Sequence, residues 1–155
     1  MKKYLFLFAL AIITMSQKCD ESTADSSTTA GEGDYIGVKT TNCFGKCPVY
    51  EFKVFEDGNA TFVGERFTVA EGTRTKKFSK REIESLFNAF DANDFEAFKD
   101  SYDGNVSDLP SIYLMYSKNG NLKKVECRYD VPDRLLGLAS LIKSFANSEG
   151  WVKEK

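Results

Sequence analysis

The pair Asn119-Gly120 constrains this chain more than any other feature. Asparagine and glycine tolerate the positive φ that a two-residue type I′ turn demands, so apolar runs on both sides predict a β-hairpin. Those runs are Ile112 to Tyr116 and Leu122 to Arg128. A two-residue turn sets Leu114 opposite Val125 and Ile112 opposite Cys127, and places these four on one face. Tyr113, Met115, Lys124 and Glu126 share the other face, where Tyr113 and Met115 form either an exposed patch or the seat of a second layer. The same period of two recurs from Val49 to Phe55, with Tyr50, Phe52 and Val54 on one side and Glu51 and Lys53 on the other. Tyr35 to Thr41 reads as a first strand. Beyond the turn at Asp57-Gly58, the residues Ala60, Phe62 and Gly64 mark a return strand. A left-handed Gly58 in a three-residue loop brings Phe52 opposite Phe62. Arg66 to Val69 and Thr73 to Phe78 flank Glu71-Gly72 and predict a further hairpin.

Two segments carry helical spacing instead. Ser79 followed by Glu82 is a capping box, and Ile83, Leu86, Phe87 and Phe90 then recur at i, i+3, i+4 and i+7. This helix is expected to stop near Asn93. The stretch from Asp94 to Pro110 is acidic and irregular, although Phe95 and Phe98 need burial. Asp130 or Val131 is expected to cap a second helix, entered by Pro132, that buries Leu135, Leu138, Ile142 and Phe145. Gly150 and Trp151 follow it. The resulting fold class is α+β: an antiparallel sheet of hairpins with two amphipathic helices packed on one face, as a single domain over 34–155.

The preceding residues read as export machinery. Lys2 and Lys3 precede an uncharged run from Tyr4 to Ile13. A basic start and an apolar run of roughly 7–15 residues make a signal peptide, here 1–18, and a span of about 20 would be needed to cross a bilayer. Residues 19–33 are acidic and rich in Ser, Thr and Gly, the composition of a flexible tether. Cys19 at its head is where a lipoprotein carries its acylated cysteine, although Lys18 replaces the small residue usual before it. Cleavage after Ser16, with Thr14 and Ser16 as the small residues, is the rival; lipidation at Cys19 is favoured because a tether serves an anchored domain. Both routes lead out of the cytoplasm, to a membrane-anchored lipoprotein or a soluble secreted or periplasmic protein. Losing Lys2, Lys3 and Lys18 takes the net charge from −2 to −5.

Composition removes much chemistry. With no histidine among 155 residues, Ser-His-Asp triads, Cys-His pairs and His-bearing zinc sites are excluded. The acidic balance argues against a dedicated nucleic-acid binder. Arg66, Arg74, Lys76, Lys77, Lys80 and Arg81 form a candidate anion patch, for a polymer or lipid headgroups, or else a solvated face. Asp91, Asp94, Glu96, Asp100, Asp103 and Asp108 form an acidic counterpart without an EF-hand's spacing. These residues imply no catalytic set, cofactor or metal.

The most distinctive motif is Cys43-Phe44-Gly45-Lys46-Cys47-Pro48-Val49-Tyr50. With the Asp57-Gly58 turn, the Ser79 helix start, the Asn119-Gly120 hairpin and Trp151, it resembles a family of bacterial envelope domains of unknown function. Their hallmark is Cys-Phe-Gly-x-Cys-Pro-x-Tyr, and the likeness runs from about Tyr35 to Trp151. It implies fold and location and no reaction. Cys43 and Cys47 are spaced to bridge across a glycine, and outside the cytoplasm such a disulfide persists. A thioredoxin-type dithiol has two intervening residues at a helix N-terminus, whereas here there are three and Pro48 leads into a strand. A zinc site from Cys43, Cys47 and Cys127 is one ligand short, and Cys127 reads as a small buried hydrophobe, with a bridge to Cys43 or Cys47 as the alternative. The functional expectation is a non-enzymatic binding module whose partners are a protein or other envelope component and, through its lipid, the membrane. A thiol-disulfide redox protein using Cys43 and Cys47 and a secreted hydrolase inhibitor are the alternatives.

Overall fold

Alternation along the strands decides which side of the sheet is closed. The computed structural model describes residues 33–106 and 108–154. Within them β1 (Tyr35–Thr40), β2 (Val49–Phe55), β3 (Asn59–Arg66), β4 (Gly72–Lys77), β5 (Ser101–Tyr102), β6 (Ile112–Lys118), β7 (Asn121–Cys127) and β8 (Val152–Lys153) form one sheet. Its order is β5-β7-β6-β1-β2-β3-β4-β8. Neighbours run antiparallel except the parallel pair β5 and β7. With α1 (Lys80–Ala92) and α2 (Asp133–Ala146) the architecture is α+β. One face of β1, β2, β3, β6 and β7 contributes Val38, Phe52, Phe62, Leu114 and Val125 to a single buried cluster, which Leu86, Phe90, Leu135 and Ile142 join from the helices.

The turn chemistry sets the registers. Gly58 has φ 88° and Phe52 stands opposite Phe62; Asn119 and Gly120 have φ 53° and 77°, and Leu114 stands opposite Val125 and Ile112 opposite Cys127. At the start of α1 the Ser79 hydroxyl accepts from the Glu82 N–H at 3.4 Å while the Glu82 carboxylate accepts from the Ser79 N–H at 2.8 Å.

Two expectations need correction. Arg66 to Val69 is not a separate strand: β3 runs to Arg66 and pairs directly with β4, Gly64 opposite Gly72. Phe67 at φ 55° starts the turn, which folds over Gly64 so closely that a Cβ there would collide with the Ala70 carbonyl. Neither Asp130 nor Val131 caps α2. Pro132 occupies the N-cap, because Asp130 is already left-handed at φ 52° and Val131 packs against the core. From Asp94 to Val106 the chain is largely irregular, as expected, and both of its phenylalanines are buried. A 3₁₀ turn over Phe95–Ala97 buries Phe95, Phe98 follows it into the core, and β5 adds an edge beside Glu126 and Cys127.

The sheet's other face carries its own cover. Met115 is buried over Gly37, where an added Cβ would stand 3.0 Å from Met115 Cε. The Lys53 ammonium lies 2.8 Å from Glu51 and 5.8 Å from the centre of the Tyr35 ring, and Lys124 lies 4.3 Å over Tyr113. Long side chains fold across aromatic neighbours here and shelter the pleat. Among the described residues no helix is long and apolar enough to cross a membrane. The expected signal peptide, tether and Cys19 lie outside them.

Candidate functional site

The Cys-Phe-Gly-Lys-Cys motif leaves the sheet between β1 and β2, and both of its feet are held. Cys43 and Cys47 form a disulfide with their Cα atoms 5.8 Å apart. Behind it, the buried Thr40 hydroxyl donates to the Pro48 carbonyl at 2.8 Å and accepts from the Tyr50 N–H at 3.1 Å. The Thr41 hydroxyl accepts from the Ser111 N–H at 2.8 Å, and the Thr41 N–H donates back to the Ser111 carbonyl at 3.0 Å. Two adjacent threonines thus tie the loop to β2 on one side and to the start of β6 on the other. Within the loop the Gly45 N–H points at Cys43 Sγ, 3.3 Å away. What this framework holds up is Phe44, 91% exposed. A large aromatic left in water on a fixed loop gains the fold nothing, since its burial elsewhere would be worth roughly 2–3 kcal/mol.

Below Thr41 lies a polar cluster that the sequence did not advertise. Ser111, fully buried, donates its hydroxyl proton to Glu126 at 2.6 Å, and the same oxygen accepts from Arg128 Nε at 2.8 Å and from its terminal nitrogen at 2.6 Å. Arg128 also donates to the Val106 carbonyl at 3.0 Å and pairs with Glu126 at 3.2 Å, and the Tyr113 hydroxyl donates to that carboxylate at 3.2 Å. A serine beside a carboxylate invites a catalytic reading. Burial denies substrate access, and the guanidinium occupies the lone pairs a nucleophile would use. The cluster braces the loop. Its members are scattered over 106–128, and only the closed fold brings them together.

Beside the disulfide, a cavity of about 170 Å³ opens between Pro48, Tyr50, Pro110, Ile112, Lys143 and Asn147. On the far side of the bridge Phe44 and Leu109, which is 44% exposed, flank a shallower depression reaching Arg128. Tyr50 is 3% exposed and stacks on Phe62 with ring centres 5.1 Å apart, and its hydroxyl is buried with no hydrogen-bond partner among the described residues. Burial pushes its pKa up to about 12. That leaves a neutral donor at any physiological pH.

The other sequence candidates disperse. Arg66 is exposed at one end of the β3–β4 pair, and Lys77, Lys80 and Arg81 lie at the other, near Asn59. Lys77 pairs with Asp57 at 3.9 Å and Lys80 with Glu84 at 3.6 Å. Lys76 is occupied inside the molecule, donating to the Ser148 hydroxyl and the Glu149 carbonyl at 2.7 Å each. Arg74 is half-buried, with one terminal nitrogen unpartnered among the described residues. Of the acids, Asp91 is taken by Tyr116 and Lys118 and Asp100 by Lys123. Among the described residues no three His, Cys, Asp or Glu side chains gather in a way that could hold a metal ion. Cys127 is buried and unpaired; desolvation, with the Glu126 charge adding to it, pushes its thiol up to about 11. A thiol so shielded is unreactive.

Residues 34–146 match the family described as Domain of unknown function (DUF6438), and the chain belongs to that family. No curated protein matches the chain.

Proposed function

We propose that this member of the DUF6438 family is an exported, non-enzymatic binding module, held at an envelope membrane by a lipid on Cys19. In this reading residues 1–18 are removed, 19–33 are the tether and 34–155 form the domain. A flexible segment of that length reaches roughly 20 Å on average, enough to lift a small domain clear of headgroups. The domain then meets a protein or other envelope component through the Cys43–Cys47 end. One observation carries this: Phe44 is 91% exposed on a loop fixed by a disulfide and by threonines at both feet. A rigid aromatic anchor is the residue type that concentrates binding energy, because little entropy remains to be lost on docking.

A secreted inhibitor would use the same loop, with a hydrolase as the partner. The redox alternative has less support, because Cys47 is followed by Pro48 and β2 rather than by the helix N-terminus that stabilises a thiolate.

The test is crosslinking in the native envelope with Phe44→Ser beside the parent chain. The variant is expected to melt like the parent and to lose the crosslinked partner. A partner retained at parental yield by a folded Phe44→Ser chain defeats the docking assignment. Cys19→Ser addresses the anchor separately: it is expected to move the protein into the soluble fraction, and an unchanged membrane fraction removes the lipid.

A further inference from the structure

We propose that Asn119 is a self-modification site: the Gly120 nitrogen attacks its side-chain amide, and the turn converts to aspartate and isoaspartate. Three pairs in the described chain place a glycine after a side chain capable of this ring closure: Asp57-Gly58, Asp103-Gly104 and Asn119-Gly120. The first two are held shut. The Gly58 N–H donates to the Phe55 carbonyl at 2.8 Å, an added Cβ there would stand 2.6 Å from the Phe78 carbonyl oxygen, and the Asp57 carboxylate accepts from the Asn59 N–H at 2.8 Å. An added Cβ on Gly104 would stand 2.5 Å from the Tyr129 ring, and the Asp103 carboxylate accepts from the Asn105 N–H at 3.3 Å. The third pair is open. Asn119 and Gly120 are both exposed, and an added Cβ on Gly120 would meet nothing within 4 Å beyond its chain neighbours. Neither the Gly120 N–H nor the Asn119 side chain makes a hydrogen bond among the described residues.

The step needs only hydroxide and water. The Gly120 nitrogen gives up its proton and attacks Asn119 Cγ; the new C–N bond closes a succinimide ring, and the side-chain nitrogen takes up a proton and leaves as ammonia. Water then opens the ring at either carbonyl, giving aspartate or, where the main chain now runs through the side-chain carboxyl, isoaspartate. Nothing is oxidised or reduced. Glycine permits the attack because no side chain crowds its nitrogen. Ring closure waits on opening of the turn, whose residues sit at φ 53° and 77°, and loop tips open locally at low free energy. Asp34 is the latch on that opening, since its carboxylate accepts from the Asn119 N–H at 2.9 Å. Conversion sets a new carboxylate beside that of Asp34. Isoaspartate also adds a backbone methylene to the turn that fixes the β6–β7 register. The inference depends neither on export nor on a partner.

The test incubates the folded full chain at mildly alkaline pH in heavy-oxygen water and follows its proteolytic peptides by mass spectrometry. The Asn119 peptide is expected to convert first, to carry a heavy oxygen from the ring opening, and to separate into aspartate and isoaspartate forms. Its rate should rise about tenfold per pH unit, because the reacting species is the amide anion. Asp34→Ala should convert about two- to fivefold faster, the effect of losing one exposed hydrogen bond. Conversion of Asn105 or Asn147 ahead of Asn119 overturns the proposal. So does an Asn119 peptide that stays intact in the folded chain after its counterpart in the urea-unfolded chain has converted. An Asp34→Ala rate at or below the parental one removes the latch.

Discussion

Two tyrosines on the same face of one sheet have opposite surroundings. Tyr116, on β6, is 1% exposed, has the rings of Phe90 and Phe95 at 5.6 and 6.1 Å, and donates its hydroxyl to Asp91 at 2.8 Å. The Lys118 ammonium lies 2.7 Å from the same carboxylate oxygen and 2.9 Å from the other. Although desolvation opposes ionisation of Asp91, the Lys118 and Tyr116 hydrogen bonds hold its pKa below the usual value. Tyr50, on β2, is buried as deeply but stacks on one ring, beside a cavity, with nothing to receive its proton among the described residues. The Tyr116 corner is closed packing, and the Tyr50 corner departs from it where the loop, the cavity and the exposed Phe44 meet. Regions that keep polar groups unsatisfied and aromatics in water are where a fold gives up stability for contact with something else.

The largest effect should separate the two corners at a stroke. Phe90→Ala empties a fully buried site between Phe95 and Tyr116 and should lower unfolding free energy by about 3–5 kcal/mol. Phe44→Ala should stay within about 0.5 kcal/mol, since the ring touches little. Denaturant midpoints check both, and comparable losses would erase the contrast. Next comes the bridge: replacing Cys43 and Cys47 together by serine should remove about 2 kcal/mol, the chain-entropy value for so short a loop. A loss much beyond that would mean that the disulfide supports the core as well as the loop. Smaller and sharper is the tyrosine pair. Tyr116→Phe should lose about 1 kcal/mol with its hydrogen bond to Asp91, whereas Tyr50→Phe should be neutral or stabilising by up to ~1 kcal/mol because it removes an orphan. Equal losses would mean that Tyr50 has a partner in solution.

How far the sequence foretold these corners depends on the range of the signal. Asn119-Gly120 fixes a register over a few residues, and Ser79 with Glu82 fixes a helix start within one turn, so both are local chemistry written in adjacent letters. Cys43 and Cys47 are equally local, and their bridge forms. The end of β3 was misplaced because the decisive fact, the turn over Gly64, depends on the absence of one Cβ rather than on hydropathy. The two-residue strands β5 and β8 carry no period to read. Ser111, Glu126 and Arg128 were invisible as a group, since alternation reports only which face each occupies. The cavity is harder still, because Pro48, Ile112 and Lys143 come from three distant segments.

The last contrast lies at alkaline pH, where the two corners should converge. Burial is the main cause that raises both tyrosines from 10.0 to about 12, with the Asp91 hydrogen bond adding to it at Tyr116. Between those limits the unfolded chain has released protons that the folded chain retains, so stability is intact below about pH 10 and falls as pH rises toward 12. Tyr50→Phe and Tyr116→Phe should each flatten that decline to a similar degree, even though at neutral pH they move stability in different directions. Melting temperatures between pH 9 and 12, read for the parent and both variants, check the sign. If Tyr50→Phe leaves the slope untouched, its hydroxyl reaches water, and burial is not what distinguishes the corner beside the disulfide.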